Sequence, residues 1–252
     1  FKKAQAELPL DASQPGAPSG EDLSNFKSLL GNGEKFGVSI NYEVQHKPEG
    51  IAQAFMIGEE FISNSPVALI LGDNFFHGQG LIELLNNKLI NFESGANIFS
   101  YNVRNPSAYG VIEQNKTKIK IIEKPKKTNS TKAITGLYFF DKNASRLSSK
   151  LKKSKRGELE IIDLIKIFLK KNKLTITELG RGSAWLDTGT SKDILKAGNY
   201  IEIIEERQNQ KIACIEEISF RKKWINRKLL NRRINFYGKS DYSSYLTGIL
   251  KE

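Results

Sequence analysis

The sequence predicts an α/β protein whose sheet is mostly parallel and carries helices on both faces. Two observations lead there. From residue 21 onward, short apolar runs of strand length alternate with segments whose apolar residues recur at helical spacing, the pattern of successive βαβ units. Within that alternation Pro66-Val67-Ala68-Leu69-Ile70-Leu71 is continuously apolar, as a strand buried on both faces requires. The chain has 252 residues, 39% of them hydrophobic, including 14 Phe and 8 Tyr. That is enough apolar surface to close a core around such a sheet, and it excludes wholesale disorder.

The elements follow in order. Residues 8–20, LPLDASQPGAPSG, hold three of the seven prolines among Gly, Ser and Ala. Proline removes backbone donors and small side chains bury little, so 1–20 is expected to be a flexible tail and 21–252 the folded domain. Leu23, Phe26, Leu29 and Leu30 fall on one helical face, and Gly31 can close that helix. A strand over 38–44, a helix over 51–61, the strand over 66–71, a helix over 81–90 and a strand over 97–103 come next. Strands are then expected over 118–123 and 134–140, a helix over 159–169, a strand over 174–179 and a long helix over 192–207. From residue 212 the pattern reads as a short β segment followed by one or two helices. The string Gly31-Asn32-Gly33-Glu34-Lys35-Phe36-Gly37 imitates a dinucleotide-binding loop, but its third glycine comes one place late and it follows a helix, so it is read as a turn.

Charge narrows the function classes. Of the formal net +11, residues 111–173 carry 18 Lys/Arg against 6 Asp/Glu, while the rest of the chain has 21 against 22. A strongly basic quarter invites a nucleic-acid or membrane reading. No RNA- or DNA-binding motif accompanies it, and a lysine-rich solvated face is the commoner cause of such a run, so neither partner is expected. The single Cys214 cannot form an internal disulfide, and His46 and His77 do not complete a zinc site with it. Apolar runs fall far short of the roughly 20 residues that cross a bilayer. Lys2 and Lys3 are not followed by the apolar stretch of a signal peptide. A soluble cytoplasmic protein is the expectation.

Four side chains stand out as chemistry-bearing. Asp73 follows the apolar strand directly, in Leu71-Gly72-Asp73-Asn74, where ligands of open α/β sheets bind. It reads equally well as a hard oxygen ligand for Mg²⁺ or as a helix N-cap or turn aspartate. Asp187, in Ala184-Trp185-Leu186-Asp187-Thr188-Gly189-Thr190, repeats that layout, with Thr190 or Ser191 available to cap the next helix. Alone it reads as a turn residue, and with Asp73 as half of a two-carboxylate metal site. Lys124 ends a strand in Ile122-Glu123-Lys124-Pro125. Arg156 precedes Gly157-Glu158-Leu159-Glu160 at an expected helix start, where a planar guanidinium can grip a phosphate bidentately. Most lysines of this region are solvated, and Glu158 and Glu160 suit the dipole of the helix they open.

These strings, with Gln45, Pro48-Glu49-Gly50-Ile51, Tyr109-Gly110-Val111, Gly136-Leu137-Tyr138 and Ile212-Ala213-Cys214-Ile215-Glu216-Glu217-Ile218, occur in an order that resembles the sugar-1-phosphate nucleotidylyltransferases. Within them the likeness is greatest to the thymidylyl branch acting on glucose 1-phosphate. The resemblance covers residues 21 to 252 and implies a Rossmann-like mixed, mostly parallel sheet of the nucleotide-diphospho-sugar transferase fold. It divides the domain into a nucleotide-binding half (21–110), a sugar-phosphate half (111–190) and a helical oligomerisation region (191–252). It further implies that Gln45, Pro48 and Gly50 contact thymine and that Asp73 and Asp187 hold Mg²⁺. Gly110, Glu123 and Gly136 would bind glucose, and Lys124 and Arg156 would neutralise the sugar phosphate. The implied substrates are dTTP and glucose 1-phosphate, on the way to dTDP-rhamnose, in a homo-oligomer, a tetramer by resemblance. Residues 1–20 match neither the family's glycine-rich loop with its Arg nor its lysine segment. The fold is therefore expected to be N-terminally incomplete, and the chain alone to have little or no transferase activity. The alternatives are a uridylyl- or adenylyltransferase, or a non-catalytic degenerate partner subunit.

Overall fold

The computed structural model describes residues 5–6, 20–115 and 118–252. The tail expected over 1–20 lies outside the described residues, apart from Gly20 and a two-residue strand β1 (Gln5–Ala6). The chain divides into two compact units, one spanning Gln45–Asn199, the other combining residues up to Val44 with Tyr200–Glu252.

The second unit opens with α1 (Gly20–Leu30). Gly31, at φ 60°, ends it and donates its N–H to the Lys27 carbonyl at 2.9 Å, as a C′ glycine does. Gly33 and Gly37, both at positive φ, bracket a single 3-10 turn, so the glycine cluster is a turn. The strand expected over 38–44 shrinks to β2 (Ser39–Ile40), paired parallel with β1.

In the larger unit the helix expected over 51–61 is broken into a 3-10 turn (Ile51–Gln53), α2 (Ala54–Ile57) and α3 (Glu59–Ile62). The break falls at Gly58, the residue that loses most conformational freedom in a helix. Then come β3 (Val67–Ile70), β4 (Asn74–Gly78), α4 (Leu81–Ile90), β5 (Ala96–Asn102), β6 (Gly110–Gln114), β7 (Ile119–Glu123) and β8 (Lys132–Phe140). The short α5 (Ala144–Ser148), α6 (Ile161–Lys170), β9 (Leu174–Glu178) and β10 (Ser183–Asp187) complete it.

β8 is the centre of this unit. Every residue from Ala133 to Phe140 is buried, and Phe140 packs between Phe55 and Phe168 at centroid distances of 5.2 and 5.6 Å. Burial of each such ring contributes about 1.5–3 kcal/mol. β8 pairs along one edge with β5, and its other edge is shared. β6 takes the first half of that edge (Val111 opposite Ala133) and β3 the second (Ile70 opposite Leu137). The sheet is mixed, as expected, but its parallel share is smaller: within it only β5 and β9 pair in parallel among the described strands. The cause is an insertion. β3 and β5 do run the same way, as a helical crossover through α4 demands, yet β8 lies between them, antiparallel to both. β4 and β10 form a separate antiparallel ribbon.

The C-terminal portion is helical: α7 (Ser191–Gln208), α8 (Ile215–Arg221), α9 (Arg227–Tyr237) and α10 (Asp241–Lys251). The β segment expected from residue 212 does not form, because Ala213 turns into the left-handed region at φ 53° and Cys214 is already the N-cap residue of α8. The fully buried Glu216 carboxylate accepts bonds from Arg233 (3.2 Å), Tyr237 (2.6 Å) and Tyr242 (2.6 Å). No described helix is long and apolar enough to cross a membrane.

Candidate active site

The shared edge of β8 creates the site. β3 departs at Leu71, whose N–H still reaches the Gly136 carbonyl at 2.9 Å, and β6 enters at Gly110 further along the same edge. A crevice beyond the carboxyl end of a strand, where its neighbours diverge, is where ligands of such sheets bind. Asp73 and Asn74 stand there. The Asn74 Oδ1 accepts from the Gly136 N–H (2.9 Å) and from Trp185 Nε1 (2.6 Å), while its Nδ2 donates to Asp73 Oδ1 at 2.6 Å. A methyl group at Gly136 would lie 2.5 Å from Asn74 Oδ1. Gly136 thus admits the side chain that hydrogen-bonds to Asp73. Asp73 caps no helix, since β4 follows it.

The β4–β10 ribbon places Asp187 opposite Asn74. The Thr188 N–H and hydroxyl both donate to the Asp73 carbonyl, at 2.7 and 2.8 Å. Asp187 Oδ1 and Asp73 Oδ2 both lie near Gly189, 3.1 and 3.6 Å from where a side chain would begin. Burial raises the Asp187 pKa. The Gly189 N–H, bonded to it at 3.0 Å, opposes that rise, and the nearby Asp73 charge adds to it. Asp187 is thus both the turn residue and half of a carboxylate pair, and Thr190 Oγ1 caps α7 by accepting from the Asp193 N–H at 3.2 Å. Among the described residues no group of three or more His, Cys, Asp and Glu side chains forms a metal cage. A two-carboxylate site of this kind suits Mg²⁺, which draws its other ligands from water and phosphate.

Lys124 lies within electrostatic reach of Asp187. It sits at φ 38°, uncommon for a lysine, with its N–H on the Tyr109 carbonyl at 3.1 Å, and its charge counters the raised pKa values of both Asp187 and Glu123. Glu123 lies opposite Gly110 in the β6–β7 register. Burial pushes its carboxyl pKa up, and Glu160 pushes it further. Tyr109 packs on Trp185 at 5.0 Å between centroids, beside the two aspartates.

Arg156 is not at the mouth of a helix, because α6 begins only at Ile161. Its guanidinium meets Glu160 at 2.9 Å, Glu158 at 3.2 Å and Glu123 at 3.6 Å. Both downstream glutamates face this arginine rather than serve the helix dipole. The same loop is zipped to the segment expected to hold thymine. Leu159 donates to Glu49 (2.6 Å) and accepts from Ala52 (3.2 Å), and Lys153 pairs with Glu49 at 2.5 Å. Gly50, at φ 101°, has no room for a side chain beneath the Leu159 carbonyl. The buried Gln45 amide donates to the Gly50 carbonyl (3.3 Å) and to Gln53, and Pro48 is exposed beside it.

Asn74, Trp185, Tyr109 and Glu160 were not among the sequence candidates. For Trp185 a signal existed: it stands two residues before Asp187, hence on the same face of one strand.

The chain belongs to the nucleotidyl transferase family, whose model matches residues 19–203. Its relatives point to one activity within that class. The glucose-1-phosphate thymidylyltransferase of Neisseria meningitidis serogroup A is 44% identical over 234 residues, covering 92% of this chain and 81% of the relative. That of Xanthomonas campestris pv. campestris strain B100 is 47% identical, covering 90% and 77%. A solved structure assigned as the same enzyme from Bacillus anthracis, holding a sucrose, superposes with a TM-score of 0.64 at 37% identity over 71% of each chain.

Proposed function

We propose that this site transfers a thymidylyl group from dTTP to glucose 1-phosphate, giving dTDP-glucose and pyrophosphate. A phosphate oxygen of the sugar phosphate attacks the α-phosphorus of dTTP, that P–O bond forms, and the bond from the α-phosphorus to the β-phosphate bridging oxygen breaks. The observation that carries the reading is that Asp73, just past β3, and Asp187, at the end of β10, lie near one another and within electrostatic reach of Lys124, in a chain with relatives of that name. Chemistry of this type is mostly positioning and charge neutralisation. A Mg²⁺ held by Asp73 and Asp187 would neutralise phosphate charge. Asn74 and Trp185 keep Asp73 in place for it. Lys124 balances the sugar phosphate, and Arg156 supplies a second cation beside it. Glu123, next to Gly110, presents a carboxylate to sugar hydroxyls. Gln45 and the Pro48–Gly50 turn hold the base, with Gly50 fitted under Leu159.

Calorimetric titration with dTDP-glucose, UDP-glucose and ADP-glucose in Mg²⁺ buffer tests the reading. The expected order places dTDP-glucose first by a wide margin. Tighter binding of UDP- or ADP-glucose would overturn the thymidylyl assignment, and binding of none would overturn the function.

A further inference from the structure

We infer that Glu160, backed by Ser154, is a positioning residue that locks Arg156 through Nε and Nη2 and leaves Nη1 for the sugar phosphate. The inference rests on the function proposed above and adds to it two residues with no assigned part in it. Glu160 is the N-cap residue of α6, yet its side chain makes no capping bond. Its carboxylate, with 10% of the side chain exposed, accepts instead from Arg156 Nε (3.1 Å), from Arg156 Nη2 (3.0 and 2.9 Å) and from Ser154 Oγ (2.7 Å). Glu158 also takes Nη2, at 3.2 Å. Every one of these bonds, and the 3.6 Å contact of Glu123, uses Nε or Nη2, and none among the described residues uses Nη1.

The loop around this lock is tight. Ser154 N–H donates to the Glu158 carbonyl (2.8 Å), the Gly157 N–H to the Ser154 carbonyl (2.9 Å), and the Arg156 N–H to Ser154 Oγ (3.1 Å). Gly157 closes the turn at φ 83°. A nearly buried carboxylate at the head of α6 thus serves to orient an arginine. An arginine already held in one geometry loses little freedom when its remaining nitrogen meets a phosphate, which is how preorganisation raises affinity.

A double-mutant cycle on dTDP-glucose affinity tests this, with melting temperatures recorded alongside. R156Q and E160Q should each weaken binding about tenfold, as expected for loss of a charge-assisted contact, and R156Q/E160Q should be no weaker than R156Q alone. Thymidine, which has no phosphate, should bind E160Q as it binds the wild type. If E160Q weakens binding by the same factor in the R156Q background, or weakens thymidine equally, the residue is a loop staple and the inference falls. Wild-type affinity in E160Q sinks it too. If E160Q does not fold, S154A takes its place: about a threefold loss in the wild-type background and none in R156Q is expected, and unchanged affinity in the wild-type background overturns the proposal. Failure of the wild type to bind dTDP-glucose removes the proposed function and the inference together, whereas binding with an additive cycle removes the inference alone.

Discussion

Replacing Asp187 by Asn separates what the carboxylate pair does for a ligand from what it does to the fold. The two carboxylate oxygens lie 3.1 and 3.6 Å from the same point above Gly189, so they are at most about 7 Å apart, and two unit charges at that distance repel by about 0.6 kcal/mol in water and about 2.4 kcal/mol at an effective dielectric of 20. Asp73 is exposed, so solvent screening brings the value toward the lower end, about 1 kcal/mol. An amide at 187 keeps the shape and can still accept from the Gly189 N–H. Without ligand, D187N should therefore melt about 2–4 °C above the wild type, measured by scanning calorimetry at low salt. Mg²⁺ should raise the melting temperature of the wild type and leave that of the variant unmoved. Salt near 1 M, where the screening length is about 3 Å, should shrink the gap. A variant that melts at or below the wild type without ligand, or that Mg²⁺ still stabilises, would refute the argument.

Three further outcomes can be measured. Burial first and Glu160 second raise the Glu123 pKa above the ordinary glutamate range. A raised carboxyl pKa gives a stability contribution that is present below the unfolded-state value and lost as pH rises through the folded one. E123Q should therefore be more stable than the wild type near neutral pH, with the two converging on acidification past the ordinary glutamate range; a pH-independent difference in melting temperature would contradict this. In G136A the new methyl group, 2.5 Å from Asn74 Oδ1, must dislodge Asn74 from Gly136 and Trp185, costing about 1–3 kcal/mol in urea unfolding and weakening Mg²⁺ binding; an alanine variant with wild-type Mg²⁺ affinity would show that Asn74 does not orient Asp73. R233A leaves the buried Glu216 charge with its two tyrosines and no hydrogen-bonded cation among the described residues. The loss should be about 3 kcal/mol, near the low end for a broken buried pair, and a change within error in the denaturation midpoint would count against it.

How far the sequence speaks for this protein depends on how local the question is. α1 with its glycine stop, α4, α6, α7, β5 and β8 all lie close to where apolar spacing places them, because a period of 3.6 or 2 records which face of a segment is buried. Local strings at strand ends and an expected helix start also single out Asp73, Asp187, Lys124 and Arg156 as candidates. Gly58 shows the limit even at short range: its neighbours read as one helix, and the backbone cost of glycine divides it.

Partners were not legible. β4 and β10 are weak, half-buried strands more than a hundred residues apart, and nothing in either announces the other, yet their pairing is what sets Asp187 beside Asp73. The insertion of β8 between β3 and β5 converts an expected parallel neighbour into an antiparallel one and opens the crevice at Gly136. Arg156 read as a free phosphate grip and proves to be held by three glutamates. A residue's pattern among its sequence neighbours fixes its face, and hence the elements. Which strand or charge comes to meet it is a non-local competition among packing, hydrogen bonding and charge, settled when the chain closes on itself.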